Sequence, residues 1–465
     1  MKKIILKIKN NLPTFIIGTL GVLARFIAMV MADPIVFQHD VAGEFGHLDY
    51  AVHIFRNWSL ANHNFYEFSQ PPVNAFLQAV VMKICSPFIR YSKINHTKLY
   101  SVTIILTFIF SCITLFIIYK ILKEFDLSIF ATNFVFGIMA FYPAILILSA
   151  EYNNDTISYM FFYLSLYLSI VWAKTKKLST IILLALSIGI GMLTKVSVGI
   201  IAFITGPMMI AVLIKSKDKK KILIQLLIFA LIVFPLGLSY SIRNLILFKQ
   251  PIGSIFEIAE GTLLDIRLHE WTIKDRFLSF PVGRLFDKES GIFHNLYEYN
   301  VWIDLIKTST FDEVKVEDVM LKNILTVVYI LNIIFYIVGI VCVFITFIDI
   351  IKYVVNKISN KKNTTFPSMS TNNINNIYNI NNISNNKCIS KTKNIDNTND
   401  VDIVDSKIKL HLNFKIICVM LFTLAIVSYI SFNVKYPYSC NSNYRYISYI
   451  TFAMAGCIAS RDFFV

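Results

Sequence analysis

Long apolar stretches alternate with polar ones along this chain, and ten of them approach the length that crossing a bilayer demands. They lie near 11–32, 100–119, 127–148, 156–173, 178–194, 197–214, 222–240, 323–350, 412–432 and 446–460. A hydrocarbon core of about 30 Å needs roughly 20 apolar residues in a helix. Inside lipid the backbone polar groups must be satisfied within the structure itself, which selects helices for segments of this kind. The pattern predicts an all-α polytopic membrane protein with about 10 (8–12) transmembrane helices, the range arising because the fifth and sixth runs are short enough to pair as a hairpin. The first run follows MKKIILKIKN and leads into Asp33 and Pro34 rather than a small-residue cleavage site, so it reads as a retained span.

Two polar interruptions, 33–99 and 241–320, are far longer than the usual connection of about 4–6 residues. Both are rich in aromatic residues and read as structured. Within the first, VNAFLQAVVMKICSPFIR (73–90) predicts an amphipathic helix with an apolar face and a basic end, suited to the membrane interface. A short re-entrant or spanning segment is the alternative. A third interruption is different in kind: SNKKNTTFPSMSTNNINNIYNINNISNNKCISKTKNIDNTND is Asn-rich and lacks the apolar content for a core. The chain therefore divides into a transmembrane module, 1–350, carrying loops 33–99 and 241–320; an Asn-rich, largely disordered cytoplasmic insertion, 351–411; and C-terminal transmembrane helices, 412–465.

Composition agrees with the pattern: 56% of residues are hydrophobic and mean hydropathy is +0.61, well above soluble proteins. The net charge of +15 would suggest nucleic acid as a partner, but its distribution points to membrane orientation instead. With the amino terminus inside, the cytoplasmic segments hold 24 of the 44 Lys and Arg, whereas the opposite segments hold 20 of the 29 acids. Both long loops then face outward. The seven cysteines show no metal-binding spacing, and no phosphate-binding GxxxxGK[ST] loop is present.

The densest ionisable chemistry follows the first span, in FQHDVAGEFGHLDYAVHIFRNW. If 40–53 is helical, Asp40, Glu44 and His47 share one face, while Asp49 and His53 share the other. A carboxylate at a water-to-lipid boundary is a candidate general base, because partial desolvation raises its pKa toward the working range. Three readings stand side by side: a solvated loop helix, a general base, and a metal site built from Asp40, Glu44 and His47. On the same side fall Glu151, Asn154 and Asp155 in SAEYNNDTISYMFF, Lys195 in GIGMLTKVSVGI, Arg243 in SYSIRNLILFKQPIGS, and Arg445 in YSCNSNYRYISYI. Boundary cations are costly without anionic partners, and several near one membrane face suit a phosphorylated lipid headgroup. Snorkelling toward the headgroups is the alternative for each.

HDVAGEFGHLDYA, FSQPPVNAFLQAV, NND, LTK, RN with a downstream PIG, NVWIDLIKTSTFDE and YRYI occur in an order that resembles the GT-C superfamily of polytopic glycosyltransferases. Within it, the chain looks most like the branch of protein O-mannosyltransferases and aminoarabinose transferases. The resemblance implies a GT-C-like fold and an inverting transfer from a polyprenyl-phosphate sugar to an acceptor hydroxyl on a protein, glycan or lipid. It also implies a multi-pass plasma-membrane location with the site facing outward. Asp40 matches the catalytic acid best, with Glu44 or Asp49 in reserve. His47, Asp49, Asp155, Lys195, Arg243 and Arg445 would bind substrate, Lys195 and Arg243 at the departing phosphate. Gln70 departs from the histidine that often precedes the paired prolines. No cofactor is required beyond the donor, and a divalent metal stays open. Trp271, Tyr297, Tyr299 and Trp302 either stack on sugars or pack the fold. A transporter or lipid flippase is the rival reading, although no internal repeat supports it, and a structural membrane protein is the third.

Overall fold

The computed structural model describes residues 2–31, 46–89, 101–254, 265–269, 271–286, 298–312, 319–363 and 397–461. The described residues are helical apart from turns and one isolated antiparallel bridge, Asp265 to Tyr438. The protein is an all-α polytopic membrane protein. In chain order the α-helices are α1 (Lys2–Met31), α2 (His47–Asn57), α3 (Val73–Cys85), α4 (Ile104–Lys123), α5 (Ile129–Phe141), α6 (Pro143–Leu148) and α7 (Asp155–Thr175). They continue with α8 (Leu178–Met192), α9 (Ala202–Lys215), α10 (Lys219–Phe248), α11 (Val301–Phe311), α12 (Val319–Asn363), α13 (Asn397–Lys435) and α14 (Tyr449–Ala459).

Every one of the ten apolar runs contains helix, and seven are long and apolar enough to cross a bilayer as they stand. The other three show why length alone misleads. Run 127–148 is split at Tyr142 into α5 and α6, because Pro143 has no amide proton and cannot continue the α5 ladder. The carbonyls left at the end of α5 are taken by a side chain from α1: Arg25 donates to Ala140 O at 2.7 Å and Met139 O at 3.1 Å, and its Nε donates to Ser111 Oγ at 2.8 Å. Helix α8 has 15 residues and α14 has 11. Helix α14 is buried over its whole length, the expected fate of a helix apolar on all sides.

Close packing in the bundle runs through glycines, as membrane helices without a hydrophobic drive between them require. A Cβ on Gly189 of α8 would meet the Leu236 side chain of α10 at 2.8 Å, and one on Gly456 of α14 would run into Cys418 Sγ of α13. Helix α10 runs on past the predicted span to Phe248, so Arg243 lies inside it rather than in the loop beyond. Helices α12 and α13 likewise extend into both ends of the segment 351–411, whose residues 364–396 lie outside the described set.

The first long loop folds onto the bundle as a helix pair. Leu48, Tyr50, Ala51 and Ile54 of α2 pack against Ala75, Ala79 and Met82 of α3, with Tyr152 beneath them. Helix α3 answers to the amphipathic segment expected at 73–90, with Phe76 and Ile84 exposed on its free side. In the second long loop, α11 is buried and is started by Asn300, whose side chain accepts from the Trp302 and Ile303 amides. Glu298 beside it pairs with Arg284 at 3.2 Å and Lys307 at 3.5 Å. Burial holds the Lys307 ammonium below its ordinary pKa, Glu298 and Asp304 pulling the other way.

Candidate functional site

The first loop is pinned to the bundle at its proline corner. Gln70 extends the chain after a short turn, Tyr66–Ser69, and Pro72 then caps α3. Val73 N–H donates to Leu193 O at 3.1 Å, and Asn74 Nδ2 donates to Asn153 O at 3.1 Å. Asn154 reaches Thr194 O at 3.2 Å and Gln70 Oε1 at 3.5 Å. Three segments distant in sequence, 66–74, 153–155 and 193–195, are thereby drawn together.

Where they meet, a cavity of about 560 Å³ opens. Glu67, Asp155, Lys195 and Lys435 are its charged lining residues, and Tyr66, Tyr159, Tyr446 and Tyr449 are among its aromatic ones. Asp155 sits in the first turn of α7, where the helix dipole favours a carboxylate. Its Oδ1 pairs with Lys195 Nζ, the two side chains being 5% and 13% exposed. Lys195 also lies 4.9 Å from the centre of the Tyr446 ring, and the Arg445 guanidinium lies 5.5 Å from the same ring. Glu67 Oε2 is 3.1 Å from His47 Nδ1, so the first loop presents to the cavity a carboxylate backed by an imidazole.

Of the residues singled out from sequence, Asp155 and Lys195 meet directly, Arg445 joins Lys195 at Tyr446, and His47 reaches the cavity through Glu67. Asp49 turns to its own helix, accepting from Gly46 N–H at 3.0 Å, the acidic half of a capping box. Arg243 is spent on the first loop: Nη2 donates to Ala61 O at 2.7 Å, Nη1 to Asn244 Oδ1 at 3.0 Å, and the guanidinium lies 5.4 Å from both the Tyr240 and Phe248 rings. It is not among the residues lining the cavity. Its neighbours share the work. Tyr240 donates to Phe68 O at 2.8 Å and contacts Tyr50 Oη at 3.0 Å, while Asn244 donates to Ser69 O at 3.1 Å. Burial, seconded by Tyr240, pushes the Tyr50 phenol well above its ordinary pKa and keeps it a neutral link in this clamp.

Asp40, Glu44 and Tyr297 lie outside the described residues. Among the described residues, no group of three or more His, Cys, Asp or Glu is arranged to hold a metal ion. Trp271, Tyr299 and Trp302 pack within the second loop: Trp302 Nε1 donates to Phe277 O at 2.8 Å, Arg284 lies over Trp271 at 4.9 Å, and Tyr299 Oη is 3.0 Å from His269 Nε2. Sequence reasoning missed Glu67, Tyr446 and Lys435. Glu67 stands three residues before Gln70 in YEFSQPP, and its closeness to the proline corner was the available signal.

The matched segment of the chain, residues 69–238, fits the family model described as dolichyl-phosphate-mannose-protein mannosyltransferase. This supports a GT-C superfamily glycosyltransferase. The match takes in the proline corner, Asp155 and Lys195, and stops short of Arg243, Arg445 and Lys435. Among curated proteins, no significant match was found. A membrane glycosyltransferase of the GT-C type with a lipid-linked sugar donor is the activity the family supports.

Proposed function

We propose that the protein moves a sugar from a polyprenyl-phosphate donor to an acceptor hydroxyl at the extracytoplasmic face of the plasma membrane, with inversion at the anomeric carbon. The observation that carries this reading is the cavity itself, where Glu67 of the first loop, the Asp155–Lys195 pair and several aromatic rings meet beside the proline corner; of these, Asp155 and Lys195 fall within the family match. In the transfer, the acceptor oxygen gives up its proton to a first-loop carboxylate and bonds to the anomeric carbon. The bond from that carbon to the phosphate oxygen breaks, and the polyprenyl phosphate keeps the electron pair. Asp40 is the proposed base and Glu44 its reserve. Lys195 faces the charge that grows on the leaving phosphate, the stage at which a fixed cation lowers the barrier most. Asp155 holds that ammonium in place, and Arg445 supports it from Tyr446. His47 orients Glu67 toward the sugar, Asp49 shapes the start of α2, and Arg243 acts through the loop it clamps.

A single displacement of this kind needs neither a nucleotide nor a protein nucleophile, and placing the hydroxyl against the anomeric carbon supplies much of the rate. The test is transfer by purified protein from a polyprenyl-phosphate sugar. Asp40→Asn is expected to abolish it with folding intact, and a fully active variant overturns the base assignment. Wild-type protein that carries the lipid across a bilayer and forms no glycosidic bond overturns the enzyme reading. Cysteines placed in 241–320 are expected to react with an impermeant reagent on intact cells, and labelling only after permeabilisation overturns the outward orientation.

A further inference from the structure

One face of α13 forms a wall of the cavity. Ser428, Tyr429, Ser431, Phe432 and Lys435 line it at helical spacing, so two serine hydroxyls lead along the wall to an ammonium. At 1.5 Å per residue the track from Ser428 to Lys435 is about 10 Å long. Another part of the lining is apolar, with Val196, Val198, Ile200 and Phe203 in sequence. Phe203 is 69% exposed although it lies in a segment long and apolar enough to span the bilayer, which opens this side of the cavity toward lipid. The cavity therefore has an apolar border and a polar track, the shape an amphiphile requires.

The charges on the lining single out one residue. Lys195 is held by Asp155, and Glu67 is paired with His47. Among the described residues, no carboxylate pairs with Lys435; its ammonium lies 5.0 Å from the centre of the Tyr436 ring. A lysine in the last turn of a helix already gains a little from the helix dipole. That gain alone does not account for a side chain on a cavity wall at the end of a hydroxyl track.

We infer that Lys435 contacts the phosphate of the lipid-linked donor, a phosphate ester whose prenyl chain lies along Val196–Phe203. The inference rests on the glycosyltransferase reading and adds to it a residue beyond the family match. Lys435 is exposed as well as lining the cavity, so it meets the phosphate on entry and holds the released polyprenyl phosphate after transfer.

The experiment measures binding of radiolabelled polyprenyl phosphate to the full-length protein in detergent, comparing wild type with Lys435→Gln and Lys435→Arg. Lys435 is exposed at a helix end, so both variants are expected to fold. Lys435→Gln is expected to weaken binding on the order of tenfold or more, the worth of one hydrogen bond to a charged group, and Lys435→Arg to restore most of it. In transfer assays the donor KM rises with the same variant, while the acceptor KM holds. Unchanged lipid binding by Lys435→Gln overturns the assignment and leaves the glycosyltransferase reading standing. Wild-type protein that binds no polyprenyl phosphate sinks that reading and the assignment with it. If inorganic phosphate competes at the same concentrations as the lipid, the site takes free anions and the lipid assignment is overturned.

Discussion

Replacing Asp155 with Asn keeps the shape of the side chain and removes only its charge, which strands the Lys195 ammonium in a pocket where it is 13% exposed. Removing one partner of a buried pair costs about 3–5 kcal/mol, mostly for the charge left behind. The Tyr446 ring 4.9 Å away returns about 1 kcal/mol through its quadrupole. The net loss is about 2–4 kcal/mol. Lys195→Met strands the carboxylate instead, and the amino end of α7 returns about 0.5–1 kcal/mol. The double variant strands neither, so its stability is expected to approach that of the wild type, and a double-mutant cycle then reads the coupling directly. Melting in detergent, followed by tryptophan fluorescence, gives the stability arm, and transfer from a polyprenyl-phosphate sugar gives the activity arm. Each single variant is expected to melt early, and the double variant to melt late yet stay inactive. Wild-type melting of Asp155→Asn refutes the burial argument, and recovered transfer in the double variant refutes the assignment of Lys195 to the leaving phosphate.

Arg243→Ala removes the hydrogen bond to Ala61 O and the aromatic contacts with Tyr240 and Phe248, a loss of about 1–3 kcal/mol felt mainly by residues 61–69; limited proteolysis is expected to cut there sooner, and an unchanged digest contradicts the clamp. Burial, with His63 as the second cause, holds the His53 imidazole below its ordinary pKa of 6.5, so the unfolded loop takes up a proton at higher pH than the folded one. The stabilisation is therefore complete above about pH 6.5 and drains away as pH falls below it. Hydrogen exchange across 46–69, corrected for intrinsic rates, is expected to quicken between pH 7.5 and 5.5, and flat protection counts against it. Gly456→Ala is expected to cost about 1–3 kcal/mol by driving a Cβ into Cys418, with a smaller penalty in a Cys418→Ala background; equal melting shifts in both backgrounds would show that the close approach is not the cause.

Helices were legible because each apolar run is long and its ends carry polar residues, and that signal is local. Breaks such as the one at Tyr142 were harder to see, since 127–148 has the length of a span and only Pro143 marks where the ladder stops. At the site, Asp155 and Lys195 each drew notice as a charge at the edge of an apolar run, but their pairing across 40 positions depends on how α7 and α8 return to the same end. Arg243 reads as a phosphate ligand because it is a cation just past an apolar run; the carbonyl of Ala61 that occupies it arrives from 182 residues away. Glu67 and Lys435 were passed over because a lone acid in a loop and a lone lysine at a helix end are ordinary in one dimension. Only the cavity between them makes either one notable.

Arg25 bears on how the protein is made. A cation near the middle of a first span costs about 2.5–3.5 kcal/mol on insertion scales, and within α1 the Gly21 carbonyl accepts from it at 3.0 Å while its other acceptors are made later. The carbonyls of Met139 and Ala140 that receive its guanidinium lie 114 and 115 residues downstream. Until α5 has been synthesised and has ended at its proline, α1 is a poor independent passenger in the bilayer. Nascent chains truncated before residue 139 are thus expected to keep α1 at the translocon or in a loosened position, with commitment to the bilayer following the arrival of α5.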